Sequence, residues 1–318
     1  MKKLSIIIPA HNEEKNIHYL VNELQKTLSG LAYTFEYIFV DDGSTDNTLN
    51  EIKVQKEIYD CIYYVELSRN FGKDQALLAG MRIATGDAVV TMDADLQHPP
   101  QMILEMIQHW ELGYDVVYTY REQSNSHAKF YQKATSKIFY KSMNMLSDIK
   151  MEDGIADFRL IDSRVVEELK LMNEYELFFR GMVKWVGFRQ KGIPYTPAVR
   201  MAGEASYSFF RLVKLGISSI MSFSVKPLYL VSAIGVGLSL CSLFYIPYIL
   251  VSVFVLHSVV SGWASVIATI AFFGGLQLFV LGIIGVYLGK LFMQSKQRPG
   301  YIVRSTNSVK QRHDLIKL

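Results

Sequence analysis

Residues 1 to about 120 alternate short runs of apolar, often β-branched residues with amphipathic stretches. The apolar runs predict five strands, at Leu4–Ile8, Phe35–Val40, Cys61–Leu67, Ala88–Met92 and Asp115–Tyr120. The amphipathic stretches between them predict helices, several of which follow helix-capping or proline residues. Strands that alternate with helices in this way predict an α/β fold built on a mostly parallel sheet.

Two later stretches have patterns that fit a membrane surface. A predicted helix at 126–146 carries a lysine at every fourth position: Lys129, Lys133, Lys137 and Lys141. This face is more typical of a solvated helix, and a helix that faces anionic lipid headgroups is the alternative that a membrane segment would favour. Residues 209–223 are amphipathic, with Arg211 and Lys214 near the start, and predict a helix in the membrane interface.

The chain then becomes strongly apolar. No Asp, Glu, Lys or Arg occurs from Pro227 to Gly289. Residues 227–257 and 264–290 are each long enough to span about 30 Å of hydrocarbon, so they predict a two-helix transmembrane hairpin. Basic residues lie on both outer sides of this segment but not in the connecting turn, which predicts that both termini are cytoplasmic.

These patterns predict a chain with several parts. They are a cytoplasmic α/β domain at 1–208, an interfacial helix at 209–226, transmembrane helices at 227–257 and 264–290, and a basic cytoplasmic tail at 291–318. We therefore expect a multi-pass protein of the inner (plasma) membrane. Glycines in the apolar segment would let helices pack closely, which is compatible with a homo-oligomer.

Composition excludes several other classes of protein. The net charge of +3 is too small to indicate nucleic-acid binding. Cys61 and Cys241 lie far apart in apolar runs, so neither a disulfide nor a metal site is expected from them. The first apolar run is too short for the core of a signal peptide. A dinucleotide-dependent dehydrogenase would carry Gly-x-Gly-x-x-Gly after the first strand, and Pro9–Glu14 lacks it.

Four polar loops follow the carboxyl ends of the first four predicted strands. They are Pro9–Glu13, Asp41–Asp46, Arg69–Lys73 and Asp93–Gln97. Ligands of open α/β sheets bind beyond these ends, so we expect all four loops at one edge. Each loop alone is compatible with an ordinary turn, and Lys73 alone with a solvated lysine. Together they assemble carboxylates, an amide and cations, a combination that suits a nucleoside diphosphate with a metal ion.

Asp93 and Asp95 flank one small residue, Ala94, directly after a predicted buried strand. An Asp-x-Asp in this position can hold a hard divalent cation on its oxygen atoms and leave room for phosphates. On its own the pattern is more typical of a surface turn. The three other loops expected at the same edge favour the metal site.

Seven short stretches together form a pattern that is specific to one protein family, although none of them is specific alone. They are Ile8–Glu14, Val40–Asp46, Leu67–Lys73, Met92–Pro100, Asp157–Leu160, Phe179–Gly181 and Ala202–Glu204. Through them nearly the whole chain resembles family 2 glycosyltransferases of the GT-A fold, a Rossmann-like domain. The resemblance is closest to the polyprenyl-phosphate glycosyltransferases, the group that includes dolichol-phosphate mannose synthase and bacterial undecaprenyl-phosphate glucosyltransferases.

The resemblance implies roles for residues at matching positions. The nucleoside would be lined by Pro9, His11, Glu13, Val40, Asp41 and Asp42. Lys73 and Ala94 would belong to the same nucleotide-sugar site, and Arg121 and Arg200 would contact the diphosphate or the acceptor phosphate. Mg²⁺ or Mn²⁺ would be held by Asp93, Asp95 and Gln97. Asp157 would be the catalytic residue; without the resemblance, it would be interpreted as an ion-pair partner of Arg159 or a turn residue.

Two positions depart from the family pattern. His11 stands where the family usually has Tyr, which changes the expected contact with the base or ribose. Ser206 stands where the family commonly has a phosphate-binding lysine, and Arg211 or Lys214 are the candidates to replace it.

The implied reaction transfers one hexose from a nucleotide sugar to a polyprenyl phosphate, with inversion at the anomeric carbon. Glucose from UDP-glucose and undecaprenyl phosphate are the first expectation; GDP-mannose, UDP-N-acetylglucosamine and UDP-galactose are alternative donors. A phosphate monoester has a second pKa of about 6, so the nucleophile is largely dianionic at neutral pH. Asp157 thus has three candidate roles: orienting the acceptor, accepting a residual proton, or stabilising charge at the anomeric carbon.

Two other membrane-protein classes fit less well. A processive polysaccharide synthase would carry a Gln-x-x-Arg-Trp motif, which this chain lacks. A transporter or flippase component for lipid-linked sugars would use the hairpin as its pathway, yet the predicted spans carry no charge inside the membrane to mark one.

Overall fold

The computed structural model describes residues 1–121, 154–172, 174, 177–196, 224–238, 240 and 262–308. Several predictions concern residues outside these ranges. They are the lysine stripe at 129–141, Arg200, Ser206, the amphipathic stretch at 209–223 and most of the first predicted span at 227–257.

The described elements alternate as the hydrophobic pattern predicts. The strands are β1 (Lys2–Ala10), β2 (Tyr33–Asp41), β3 (Ile62–Leu67), β4 (Ala88–Thr91), β5 (Val116–Arg121), β6 (Ile155–Asp162), β7 (Gln190–Tyr195) and β8 (Val303–Thr306). The helices are α1 (Glu14–Leu28), α2 (Thr48–Ile58), α3 (Lys73–Ile83), α4 (Met102–Glu111), α5 (Ser163–Leu171), α6 (Phe179–Trp185), α7 (Lys226–Leu238) and α8 (Trp263–Ser295).

All eight strands join one sheet in the order β7-β5-β6-β4-β1-β2-β3-β8. Strands β1 to β4 are parallel neighbours, and β7 is parallel to β5. Strand β6 lies antiparallel between β4 and β5, and β8 lies antiparallel on the outer side of β3. The prediction of a mostly parallel, Rossmann-like sheet is therefore confirmed.

The central strand β1 is apolar on both sides because helices cover both faces of the sheet. Leu4, Ile6 and Ile8 are fully buried in one core cluster that includes Leu20 of α1. On the other face, α3 packs so closely that a Cβ atom at Gly80 would collide with Ile7. This packing fixes β1 and its neighbours, and with them the loops at their carboxyl ends.

Part of the stretch predicted as a basic tail at 291–318 joins the sheet. Residues 303–306 form β8, which pairs Val65 with Thr306 and Leu67 with Val303. Val303 is fully buried there. The compact unit that contains the sheet is thus discontinuous in sequence, and it takes up residues from both sides of the apolar segment.

The two apolar helices belong to a second compact unit. Within the described residues, one helix is long and apolar enough to cross a membrane: its span, Phe272–Ser295, has 24 residues and a mean hydropathy of 1.9. Helix α7 is apolar but shorter. The predicted second transmembrane helix is therefore supported by length and composition, whereas the two-helix hairpin is not confirmed.

Candidate active site

The loops after β1 and β2 bind each other through short polar side chains. The Asn12 backbone N–H donates to Ser44 Oγ at 3.0 Å, and the Thr45 N–H donates to Asn12 Oδ1 at 2.8 Å. His11 Nδ1 lies 2.9 Å from the Asp42 carbonyl oxygen, to which it can donate. His11 itself is exposed, so its ring stands at the open edge of the sheet.

Asp42 joins the second loop to the third. Its two carboxylate oxygens accept the backbone N–H groups of Phe71 and Gly72 at 2.7 and 2.9 Å. Gly43 has φ +63°, and a Cβ atom there would collide with the Arg69 backbone, so only glycine allows the loops to approach this closely. Asp42 is 4% exposed, and its carboxylate is engaged in holding the third loop.

Lys73 occupies the centre of the edge. Its Nζ lies 2.5 Å from Asp93 Oδ1 and 2.8 Å from Asp157 Oδ2. Burial disfavours the charged amine, but the two carboxylates outweigh this and raise the pKa of Lys73. A permanent ammonium thus connects the loop after β4 with strand β6.

Asp157 reaches this edge because β6 is antiparallel to β4. The register pairs Thr91, the last residue of β4, with Arg159, so Asp157 lies beyond the end of β4 and beside Asp93. Thr91 Oγ1 also donates to the Asp157 carbonyl oxygen at 2.5 Å. The antiparallel strand therefore starts where the parallel strands end.

Three cations surround the Asp157 carboxylate. Arg180 donates from Nε and Nη2 to its two oxygens at 2.6 and 2.9 Å, Lys73 contacts Oδ2, and Arg159 Nη2 is 4.0 Å away. Burial alone would favour the neutral carboxyl, but Lys73 and Arg180 hold the pKa of Asp157 well below its usual range. In the nearby Asp74, burial and the charge of Asp157 raise the pKa to about 6.

The Asp-x-Asp loop has the donor set of a divalent-metal site. Asp93 is part-exposed, and Asp95 accepts the Gln97 backbone N–H at 3.1 Å. Arg121 Nη2 donates to Gln97 Oε1 at 3.3 Å. The described residues contain no cluster of three His, Cys, Asp or Glu side chains that could hold a metal alone. Two carboxylates suffice for Mg²⁺ when phosphates and water complete its shell, so these residues fit such an ion.

His98 supports the same loop from beneath. It is 3% exposed, and its ring stacks on Phe158 with centroids 4.9 Å apart. Its Nδ1 accepts the Asp93 backbone N–H at 3.0 Å, which implies that the proton is on Nε2. Burial lowers the pKa of His98 although Asp93 acts in the opposite direction. A neutral imidazole therefore fixes the backbone of a proposed metal ligand.

The structure brings together most of the predicted site residues but not all. Pro9, His11, Glu13, Asp41, Asp42, Lys73, Asp93, Asp95, Gln97, Arg121 and Asp157 all lie at or near the carboxyl edge of β1–β5. The side chains of Val40 and Ala94 are 0% and 2% exposed, so any contact of these two residues with a ligand would come from their backbone atoms. Arg200 lies outside the described residues.

Sequence reasoning assigned no role to Arg180 and His98. Both belong to the stretches that carry the resemblance, Phe179–Gly181 and Met92–Pro100, so a signal was present. The sequence alone suggested an ion pair between Asp157 and Arg159. In the structure, Arg180 and Lys73 make shorter contacts with Asp157 than Arg159 does.

Comparison with known proteins gives matches along nearly the whole chain. The model of the family described as Glycosyl transferase family 2 matches residues 5–170. Uncharacterized glycosyltransferase YkcC of Bacillus subtilis is 37% identical over 97% of this chain and 95% of its own length. Uncharacterized glycosyltransferase sll0501 of Synechocystis is 39% identical over 95% and 94%. The prophage bactoprenol glucosyl transferase homolog of Escherichia coli is 33% identical over 95% and 98%.

Proposed function

The chain belongs to glycosyl transferase family 2, and we propose that it transfers one glucose from UDP-glucose to undecaprenyl phosphate at the cytoplasmic membrane face. The name of the Escherichia coli relative, a bactoprenol glucosyl transferase homolog, supports both the sugar and the class of lipid acceptor, since bactoprenol is a polyprenol. The UDP part of the donor rests on the sequence resemblance.

One observation carries the proposal: Lys73 connects Asp93, in the loop suited to a metal ion, with Asp157 on β6. The diphosphate, held by the metal, would lie beside Asp93, and the acceptor phosphate would lie beside Asp157. Both anions would then contact the ammonium group of Lys73. Such positioning converts a reaction between two substrates into a nearly unimolecular step.

Asp93, Asp95 and Gln97 would hold Mg²⁺ or Mn²⁺. When bound, the ion neutralises charge that develops on the departing diphosphate. Arg121, which donates to Gln97, would keep that amide oriented.

In the proposed step, a phosphate oxygen of the acceptor attacks the anomeric carbon of glucose. The bond between that carbon and the diphosphate oxygen breaks, and UDP leaves with the bonding electron pair. A single displacement inverts the anomeric centre, so an α-linked donor gives a β-linked lipid product.

We propose that Asp157 acts as a fixed anion rather than as a base. Both of its oxygens already accept from cations, and Lys73 and Arg180 keep its pKa well below the usual range, which makes it a poor proton acceptor. The acceptor phosphate needs little help, because its second pKa is about 6. Asp157 would hold Lys73 and Arg180 at the reacting centre.

The membrane arrangement is part of the same proposal. The span within α8 would be one half of the predicted hairpin, with residues 227–257 as the other half and both termini in the cytoplasm. A polyprenyl chain stays in the bilayer, so the catalytic edge has to meet the phosphate at the membrane surface. A homo-oligomer remains compatible with this arrangement.

The test is a donor panel with the full-length protein in lipid nanodiscs, undecaprenyl phosphate and Mn²⁺ or Mg²⁺. We expect UDP release from UDP-glucose that depends on the acceptor and is lost when a chelator removes the metal. Asp93→Asn should lower kcat by about a thousandfold, the loss of several kcal/mol of transition-state stabilisation.

Asp87→Asn is the matched control, because Asp87 precedes the same strand at its opposite end and accepts the Lys3 backbone N–H there. It should leave kcat nearly unchanged. Donor turnover that ignores the acceptor, or full activity with all metal removed, would refute the proposal. A preference for GDP-mannose would correct the donor alone.

A further inference from the structure

The residues that follow the apolar helix α8 return to the sheet next to the third loop. We name Gly300–Ser305 the C-terminal strap. Tyr301 is 5% exposed and Val303 is fully buried, so two of its side chains are anchored in the core. The Ser68 backbone N–H donates to the Ile302 carbonyl oxygen at 2.9 Å, which extends the pairing of β3 and β8 beyond the end of β3.

The far end of β8 is anchored as well. Thr306 Oγ1 donates to the Tyr64 carbonyl oxygen at 2.7 Å, and the Tyr64 N–H donates to Asn307 Oδ1 at 2.7 Å. Asn307 Nδ2 donates in turn to the Ile62 carbonyl oxygen at 3.2 Å. These bonds satisfy the backbone groups that an edge strand would otherwise expose. The residues directly after the strap are therefore anchored to β3 as well, which makes the strap an integral part of the sheet.

Charged contacts connect the strap to the end of β3. Arg304 Nη1 donates to Glu66 Oε1 at 3.0 Å, and Ser305 Oγ donates to Glu66 Oε2 at 2.6 Å. Glu66 is paired with Asp41 in the register of β2 and β3, so two carboxylates lie side by side at the edge. Arg304 offsets part of this negative charge.

The strap holds the third loop from both of its sides. Before the loop, the Ser68 N–H donates to Ile302 and the Ser68 carbonyl oxygen accepts from Arg304 Nη2 at 3.0 Å. After the loop, Gly300 packs against Gln75 in the first turn of α3, where a Cβ atom at position 300 would collide with the Gln75 side chain. Lys73 and the two backbone N–H groups that bind Asp42 lie between these two anchors.

We propose that the C-terminal strap is a positioning element of the donor site, which holds the loop Arg69–Lys73 in the conformation that binds the nucleotide sugar. The inference rests on the proposed function for the identity of the ligand. It assigns to the segment after the apolar helix a role at the catalytic edge, and it names Arg304 and Ser305 as positioning residues that act through Glu66 and Ser68.

The test compares two truncations of the full-length protein in nanodiscs. A stop after Gln297 removes the strap, whereas a stop after Ser308 leaves every contact described above in place. We expect the first truncation to raise the donor KM and the Kd for UDP with Mn²⁺ by about tenfold or more, with the acceptor KM unchanged. The second truncation should match the wild type.

A milder pair of variants guards against misfolding of the shorter chain. Arg304→Ala combined with Ser305→Ala should raise the donor KM by only about threefold, because Arg304 is 63% exposed and exposed ion pairs contribute little. Arg298→Ala is the matched control, an exposed arginine outside the strap. Adding Glu66→Gln to the double variant should restore part of the donor affinity, since it removes the carboxylate left without its partners.

Hydrogen exchange separates this inference from the proposed function. The amides of Phe71 and Gly72, which bind Asp42, should exchange about tenfold faster after the stop at Gln297 than after the stop at Ser308, with or without nucleotide. If the wild type binds no nucleotide, the proposed function fails, while faster exchange still supports the strap as a positioning element. Equal exchange and equal donor affinity in both truncations would overturn the inference.

Discussion

The parallel strands β1–β4 and the antiparallel strands β6 and β8 reach the active edge of the sheet from opposite directions. The parallel strands end there, and each passes directly into its own loop. The antiparallel strands begin there, so their first residues meet loops that are remote in sequence. The parallel strands supply the proposed ligands of the nucleotide and metal, and the antiparallel strands supply the groups that fix those ligands in place.

This division follows from chain geometry. A loop after a parallel strand leads into a crossover connection rather than a tight hairpin, so contacts from other parts of the chain help to fix its polar groups. Strand β6 brings Asp157 against Lys73, and β8 brings Arg304 against Ser68. The loop that contains Lys73 is therefore held by two antiparallel strands: β6, which lies inside the sheet, and β8, which lies at the edge of the sheet.

The largest expected effect separates the fixed charges of β6 from ordinary packing. Asp157→Asn leaves Lys73, Arg180 and Arg159 without their shared anion, so we expect kcat to fall by about a hundredfold. The melting temperature should also fall, because the buried Arg159 loses the carboxylate 4.0 Å from its Nη2, and an uncompensated buried charge costs several kcal/mol. Steady-state kinetics and thermal unfolding in nanodiscs measure both.

Asp162→Asn at the other end of β6 is the control. Asp162 accepts from Trp110 Nε1 and Arg164, which makes it a structural carboxylate. This variant should lower the melting temperature and leave kcat nearly unchanged. Near-normal turnover of Asp157→Asn would refute an essential role for the carboxylate of β6.

A smaller effect concerns pH and tests whether Asp157 is a base. Its pKa is depressed in the folded state, so the stability it contributes is present at neutral pH and is lost only as the pH falls through that low value. The acid limb of kcat/KM for the acceptor should therefore come from the acceptor phosphate, with a midpoint of about pH 6 and a tenfold loss per pH unit below it. Between about pH 7 and 9 the profile should be flat.

Asp74 is the one described carboxyl beside Asp157 whose pKa also lies near this limb, raised to about 6 by burial. Asp74→Asn should leave the limb in place if the acceptor is its origin. A limb that disappears in this variant would assign it to the protein instead, and a limb centred above pH 7 would contradict the anionic role of Asp157.

The two sets of strands also differ in how far the sequence predicts them. Strands β1–β4 and their loops follow from apolar runs that each end in a polar turn, a local signal. The contact of Lys73 with Asp157 depends on β6, which enters the sheet far along the chain between β4 and β5, and no local pattern encodes that pairing. Strand β8 has four residues with an exposed arginine, too short and too polar to show periodicity.

The buried side chains of Val40 and Ala94 illustrate a related point. Both belong to motifs that match the family, but a motif does not say which side chains face the core. Val40 lies inside β2, next to α3, and Ala94 is buried between the part-exposed Asp93 and the buried Asp95. Their backbone atoms, and not their side chains, are what the motif positions.

The smallest predicted effect concerns the hydrogen bond between His98 and the backbone of Asp93. His98 supports the loop after β4 through this bond, and its ring stacks on Phe158 of β6. His98→Asn can place an amide oxygen near the position of Nδ1 and still accept from the Asp93 N–H. His98→Gln places its amide near Nε2 and loses that bond. Both variants lose the stacking on Phe158, so their difference isolates the hydrogen bond.

We expect Mn²⁺ affinity, measured by electron paramagnetic resonance, to be about fivefold weaker in His98→Gln than in His98→Asn, since such a bond contributes about 1 kcal/mol. Equal affinities would mean that the loop after β4 holds its shape without this hydrogen bond.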